Sequence, residues 1–218
     1  PIEGETEITL LLPVHNEAEA IEAVISELYE EVVKKIPLKI LVVEDGSTDG
    51  TKGRLIKLSE RIPMTLILKD ERRGYSKAVT EGLKKIDTKF VFFTDSDGQH
   101  VAKDFWTLYE LREKYDILSG CRVKRADPFH RRVMSKIFQW AARVIFKLPR
   151  FRDITAPYKL MRSEVAQLIA DEFKYMKESF WTEFTIRGHE MGFKIAEVPV
   201  HHKNRQGGSS TRVYKPLK

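Results

Sequence analysis

Phe90-Val-Phe-Phe-Thr-Asp95-Ser-Asp97-Gly-Gln99-His100 reads as a buried strand that runs straight into an acidic glycine turn. In an extended segment alternate side chains point the same way, so Asp95, Asp97 and Gln99 present two carboxylates and a carboxamide to one point. Three oxygen donors suit a hard divalent cation such as Mg or Mn, with diphosphate oxygens completing the shell. Zinc fits less well, because no thiolate is near and His100 is the one imidazole of the run. A strand that merely ends in a polar turn is the plainer account of a lone Asp-x-Asp. The reading therefore depends on whether other segments agree.

Working outward, apolar runs alternate with amphipathic stretches, the pattern of parallel strands joined by helices. Strands are predicted at Ile8 to Pro13, Leu38 to Glu44, Thr65 to Lys69, Lys89 to Thr94 and Asp116 to Arg122. Helical periodicity falls at Ala18 to Lys35, Thr51 to Arg61, Ser76 to Ile86 and Lys103 to Lys114. This is an α/β chain with a mostly parallel, doubly wound sheet flanked by helices, in which ligands collect beyond the carboxyl ends of the strands. The polar clusters lie there: Pro13-Val-His-Asn-Glu17 after the first strand, Glu44-Asp45-Gly-Ser-Thr-Asp-Gly-Thr51 after the second, and Asp95-Ser-Asp97 after the fourth.

Past Arg122 the pattern changes. Phe129 to Leu148 sets Phe138, Trp140, Val144, Ile145 and Phe146 among basic residues, which reads either as a helix lying on a membrane surface or as a helix packed on the sheet. A strand at Pro157 to Met161, helices at Ser163 to Ala170 and Phe180 to His189, and a strand at Lys194 to Val200 follow. The segment from Asn204 to Arg212 is rich in glycine and serine and is expected to be mobile until a ligand orders it. We read residues 1–218 as a single domain, with a nucleotide- and metal-binding half to residue 123 and an acceptor-binding half from 124 to 218.

The 218 residues are 42% hydrophobic, enough to bury one substantial core. The lone Cys121 excludes an intramolecular disulfide. Pro1 to Glu7 is acidic and polar, unlike a secretory leader, and no apolar run approaches the roughly 20 residues of a membrane span. The formal charge of +6 is unevenly spread: from Arg122 to Lys159, eleven Lys and Arg face only Asp127 and Asp153. Such a field favours an anionic partner, either a phosphate or an anionic membrane. A nucleic acid is disfavoured, since Asp95 and Asp97 repel its backbone unless a metal intervenes.

Taken in order, Pro13-Val-His-Asn-Glu17, Val43 to Thr51, Arg73-Gly74 to Ala78, Asp95-Ser-Asp97-Gly-Gln99 and Arg205-Gln-Gly-Gly208-Ser-Ser210 resemble the signature of inverting family-two glycosyltransferases of the type-A fold. Within that family the chain is most similar to dolichol- and polyprenyl-phosphate sugar synthases, the mannose synthases above all. The resemblance implies a nucleotide site built from Pro13, His15, Glu17, Asp45, Gly74, Lys77, Asp95 and Ser96, and a metal held by Asp95, Asp97 and Gln99. It implies an acceptor phosphate gripped by Arg122, Arg131 and Ser135, where the guanidinium fork suits phosphate. It also implies a closing loop carrying Arg205 and Ser210. Asp95, Asp97, Arg122 and Arg131 are the residues it points to for catalysis.

The expected reaction moves a hexose, mannose from GDP-mannose, onto a lipid phosphate at the cytoplasmic face of a membrane. A UDP-sugar donor, a saccharide acceptor and a non-catalytic nucleotide-binding module are the alternatives. Lys77 reads equally as a phosphate contact or a solvated helix lysine. Ser47, Thr48 and Asp49 read first as caps of the following helix, and Glu183 either as an acid that orients a basic residue or the sugar or, equally, as a plain helix glutamate. The chain departs from the family pattern at His15, where an aromatic is usual, at Asp153-Ile-Thr-Ala-Pro-Tyr-Lys159, which lacks the expected glycine, and at Thr211.

Overall fold

The computed structural model describes residues 4–123, 129–173 and 179–205, with the side chains of residues 129–132, 135 and 136 outside the description. The strands are β1 (Ile8–Val14), β2 (Leu38–Glu44), β3 (Thr65–Leu68), β4 (Phe90–Thr94), β5 (Ile117–Val123), β6 (Tyr158–Arg162) and β7 (Ile195–His201). The helices are α1 (Ile21–Leu28), α2 (Thr51–Ser59), α3 (Tyr75–Lys84), α4 (Phe105–Tyr109), α5 (Phe129–Ile145), α6 (Ser163–Asp171) and α7 (Phe180–Glu190). Each strand lies within a residue or so of its expected bounds.

One seven-stranded sheet runs in the order β3-β2-β1-β4-β6-β5-β7. All pairings are parallel except those of β6, which is antiparallel to both β4 and β5. Hydrophobic periodicity is blind to strand direction, so this reversed insertion was not visible in the sequence. Its consequence is that β4 and β5 do not touch. The rim at the end of β4 instead faces the chain leading into β6.

Alternation along β1 builds the core. Ile8, Leu10, Leu12 and Val14 pack with Phe90 and Phe92 under α1, α2 and α4, whereas Leu11 joins Leu41, Val43, Val91 and Phe93 under α3, α6 and α7. Strands apolar on both faces are what a sheet covered on both sides demands.

Two helices differ from the periodic reading. The stretch from Ala18 to Lys35 begins as α-helix only at Ile21 and widens into a π-helical turn at Tyr29–Val33. The stretch from Lys103 to Lys114 opens as a 3₁₀ turn and is α-helical only over Phe105–Tyr109. Beyond Glu110 its amides bond three residues back, Leu111 to Leu108 and Lys114 to Leu111, which tightens the helix out of α geometry. Among the described residues no helix is long and apolar enough to cross a membrane.

Candidate active site

The loops after β1 and β2 are stitched into one surface. Asn16 adopts φ 54°; its amide donates to the Ser47 hydroxyl at 2.9 Å and its side-chain oxygen accepts from the Thr48 amide at 2.9 Å. The Glu17 amide donates to Thr51 Oγ1, and Asp49 accepts from both the Ala18 and Thr51 amides. Asp49 thus holds the first amide of α2 from just outside the cap position, which Gly50 occupies. Ser47 and Thr48 instead bind the neighbouring loop. The His15 ring pairs through Nδ1 with the Asp45 carbonyl at 2.9 Å.

Asp45 is buried and accepts from the amides of Arg73 (2.8 Å) and Gly74 (2.7 Å), so it fixes the turn that starts α3. Gly46 explains how the loops come so close. Its φ is +65°, and a Cβ there would lie 2.3 Å from the Glu71 carbonyl carbon. Lys77 is exposed on the first turn of α3. Ser96, buried, donates to the Pro13 carbonyl at 2.9 Å and ties the turn after β4 to the end of β1.

That turn carries the expected donors. Asp97 accepts from the Gln99 amide at 3.0 Å, as in a side-chain-stabilised turn. The Gln99 side-chain nitrogen donates to the Lys203 carbonyl at 3.4 Å, which aims its other end, the carbonyl oxygen, away from that partner. Asp95 accepts from the Tyr75 hydroxyl at 2.8 Å.

Arg205 crosses over this rim. Its guanidinium bonds the Glu17 carboxylate and lies 3.8 Å from Asp97. Burial pushes the Glu17 carboxyl up to about 7; Arg205 opposes that shift, and the charge on Asp97 adds to it. One cation thus spans two carboxylates that would otherwise repel each other. Among the described residues no three His, Cys, Asp or Glu gather as a metal cage. Two carboxylates and an amide oxygen at an open rim fit Mg or Mn, which bind through few protein groups plus substrate phosphates.

Near the end of β5, Arg122 is tied to Asp153 through Nε (2.6 Å) and a second nitrogen (2.9 Å), and also reaches the Thr155 hydroxyl. Glu197 on β7 holds the Arg152 and Asp153 amides at 2.6 and 2.7 Å. The Asp153 segment, divergent in sequence, therefore cradles the arginine expected to meet the acceptor. Lys159 is fully buried, donates to Ser119 Oγ at 2.6 Å, and burial pulls its pKa down to about 8. Glu183 is buried and pairs at 2.8 Å with Arg187 one turn further along α7, a contact that an orienting acid and a plain helix glutamate share. Arg131 and Ser135 lie on α5, but their side chains, like the whole of Ser210 and Thr211, fall outside the described residues.

Sequence reasoning missed Tyr75, Trp181 and Lys159. Tyr75 carried no signal beyond adjoining Gly74, and Trp181 none beyond its place in a helix; Lys159 was counted in the basic field facing an anionic partner, whereas it is buried on β6 and spends its ammonium on Ser119.

A parallel rim that joins a strand-end Asp-x-Asp to the loops after β1 and β2, on a mostly parallel sheet flanked by helices, defines a type-A glycosyltransferase. Residues 9–169 match glycosyl transferase family 2, and the chain belongs to that family. It is 28% identical over 212 residues to a dolichol-phosphate mannosyltransferase of Pyrococcus furiosus, covering 93% of this chain and 58% of that one. An uncharacterized glycosyltransferase of Mycobacterium tuberculosis is 28% identical over 207 residues, covering 93% and 88%. In structure the chain is similar to a mannosyltransferase from Pyrobaculum calidifontis in complex with GDP-Man and Mn²⁺ (TM-score 0.63, 21% identity, 91% of this chain and 56% of that one). It is likewise similar to glucosyl-3-phosphoglycerate synthase of M. tuberculosis in complex with Mn²⁺, UDP and phosphoglyceric acid (TM-score 0.71, 18% identity, 93% and 72%). The chain thus spans little more than half the length of the Pyrococcus and Pyrobaculum proteins.

Proposed function

We propose that this glycosyltransferase transfers a hexose, mannose from GDP-mannose, with inversion onto a polyprenyl phosphate. The observation that carries this reading is Arg205, which bonds Glu17 and lies 3.8 Å from Asp97, over the turn whose sequence also supplies Asp95 and Gln99 as oxygen donors for a cation. The Pyrococcus relative, a dolichol-phosphate mannosyltransferase, supports the lipid phosphate acceptor. The Pyrobaculum neighbour, bound to GDP-Man and Mn²⁺, supports the donor and the metal. The competing donor is a UDP-hexose, for which the UDP-bound M. tuberculosis neighbour speaks.

In this reading Asp95, Asp97 and Gln99 hold Mg or Mn, which supplies positive charge to the departing nucleoside diphosphate. Pro13, His15, Glu17, Asp45, Gly74, Lys77, Asp95 and Ser96 form the nucleotide site. Asp45 contributes mainly by fixing the Arg73–Gly74 turn, and Ser96 by fixing the strand ends. Arg205 and Ser210 close over the diphosphate. Arg122, Arg131 and Ser135 take the acceptor phosphate, with Asp153 keeping the Arg122 guanidinium extended at the strand end.

A phosphate oxygen attacks the anomeric carbon from the face opposite the leaving group. A new C–O bond forms as the bond to diphosphate breaks, and the electron pair departs with the nucleoside diphosphate. The nucleophile is already ionised near neutrality, so no strong general base is required.

Residues 1–123 serve mainly donor and metal and 124–218 mainly the acceptor, with Arg122 at their junction and the tail from Arg205 returning to the donor, within one domain acting at the cytoplasmic face of a membrane. Support for the membrane comes from α5. Met134, Trp140 and Ile145 are 62, 65 and 69% exposed, while Ala142 packs with Leu148, Ile154 and Ile186. Exposed Arg143, Lys147 and Arg150 accompany that apolar face, a pairing suited to an anionic bilayer.

The test is a screen of GDP- and UDP-sugars against a short prenyl phosphate with Mn. Transfer from GDP-mannose is expected, and transfer only to neutral saccharides would overturn the acceptor. Flotation with anionic liposomes, weakened by Trp140→Glu, tests the membrane contact; equal flotation of both proteins refutes it.

A further inference from the structure

The Asp95 carboxylate is anchored by a relay that starts in the other half of the chain. Trp181, at the start of α7, donates from Nε1 to the Tyr75 hydroxyl at 2.8 Å, and the Tyr75 hydroxyl donates to Asp95 Oδ1 at 2.8 Å. An indole N–H only donates, so the order admits no reversal. With its oxygen accepting from Trp181, the Tyr75 hydroxyl is left to spend its single proton on Asp95.

The origin of the relay is rigid. Trp181 is 3% exposed, and its ring sits 4.4 Å from that of Phe93, 4.9 Å from Phe180 and 5.1 Å from Phe184, centroid to centroid. The Lys159 ammonium lies 5.4 Å from the indole centroid, held there by Ser119. An indole clamped by three rings and a cation cannot turn its N–H elsewhere without repacking the core beneath α7. Packing alone does not account for the arrangement, because a phenylalanine at position 75 would fill nearly the same space.

We propose that Tyr75 and Trp181 are positioning residues that fix the Asp95 carboxylate plane for the cation and diphosphate, so that the acceptor half of the chain sets the geometry of the donor half. The proposal rests on the metal-dependent reading above. The two bonds in series bias the carboxylate toward one orientation, and every misdirected orientation lowers the fraction of molecules ready to bind.

The test is calorimetry of GDP binding with and without Mn, on wild type, Tyr75→Phe, Trp181→Phe and the double variant, with thermal melting alongside. Hydrogen bonds to charged groups set the scale. Tyr75→Phe is expected to weaken Mn-dependent GDP binding roughly tenfold, and to leave binding without Mn within about twofold. Trp181→Phe is expected to weaken it less, about threefold, and to add nothing in the Tyr75→Phe background, since it acts only through that hydroxyl. If Trp181→Phe does not fold, Tyr75→Phe decides alone. Wild-type Mn-dependent binding that Tyr75→Phe leaves unchanged overturns the relay and spares the proposed function. So does a Trp181→Phe effect that persists in full without the hydroxyl. Wild type that binds no GDP or UDP with Mn takes down both.

Discussion

Arg122 has two claims on it, and removing it separates them. Its ion pair with Asp153 has side-chain exposures of 11 and 3% and two short nitrogen–oxygen contacts. Truncating one partner of a buried pair costs roughly 3–5 kcal/mol, because the other charge is left uncompensated. Here the low end applies, since the Asp153 carboxylate keeps the Thr155 hydroxyl at 2.9 Å and feels the charge of Lys159. At roughly 2–4 °C per kcal/mol for a chain of this size, Arg122→Met should lower Tm by about 6–12 °C. Pairing it with Asp153→Leu removes the stranded charge and should restore most of that loss. Differential scanning fluorimetry reads the cycle. A single variant that melts within about 2 °C of wild type refutes the structural claim. The restored double variant then tests the other role: if Arg122 grips the acceptor phosphate, transfer to prenyl phosphate stays lost although the fold has recovered. Full activity would remove Arg122 from the acceptor site.

Stability should climb with pH in alkali on account of Lys159. Its ammonium deprotonates near 8 in the folded chain but near 10.5 when free, so between those values the unfolded chain binds more protons and folding gains as pH rises. Below about 8 both states are charged, and the buried ammonium is a constant cost. Urea melts from pH 7 to 10 should show this rise in wild type and lose it in Lys159→Met; parallel curves would sink the assignment. Asp97→Ala should remove Mn-dependent GDP binding with little change in Tm, and retained binding would clear Asp97 of the cation site. Gly46→Ala should destabilise by several kcal/mol, because the φ of +65° and the 2.3 Å approach to Glu71 both resist a side chain; an unshifted melting curve would contradict that packing.

Much of the sheet was legible locally. Strands β1, β2 and β4 are apolar on both faces, so a run of hydrophobic residues bounded by polar turns is their whole signal, and no helix competes for it at that length. Position on the rim was legible for the same reason: in a parallel sheet, whatever follows a strand lies at its carboxyl end. That placed Glu17, Asp45, Asp95 and Asp97 together before any distance was known. What those side chains bond was not legible. Asp45 holds two backbone amides, and Ser96 a proline carbonyl, which are uses that spacing does not distinguish from ligand contacts.

The amino-acid order by itself determined the α/β class, the sequence of rim clusters and the oxygen character of the Asp95-Ser-Asp97-Gly-Gln99 turn, because each depends on residues a few positions apart. Tertiary structure alone decided that β6 enters antiparallel between β4 and β5, that Arg205 reaches Glu17 across 188 residues, and that Trp181 reaches Tyr75 across 106. Periodicity carries only near-neighbour information. Contacts between distant segments are settled by how the strands are ordered and which faces the helices cover, and it is there that the carboxylates of this site acquire their partners.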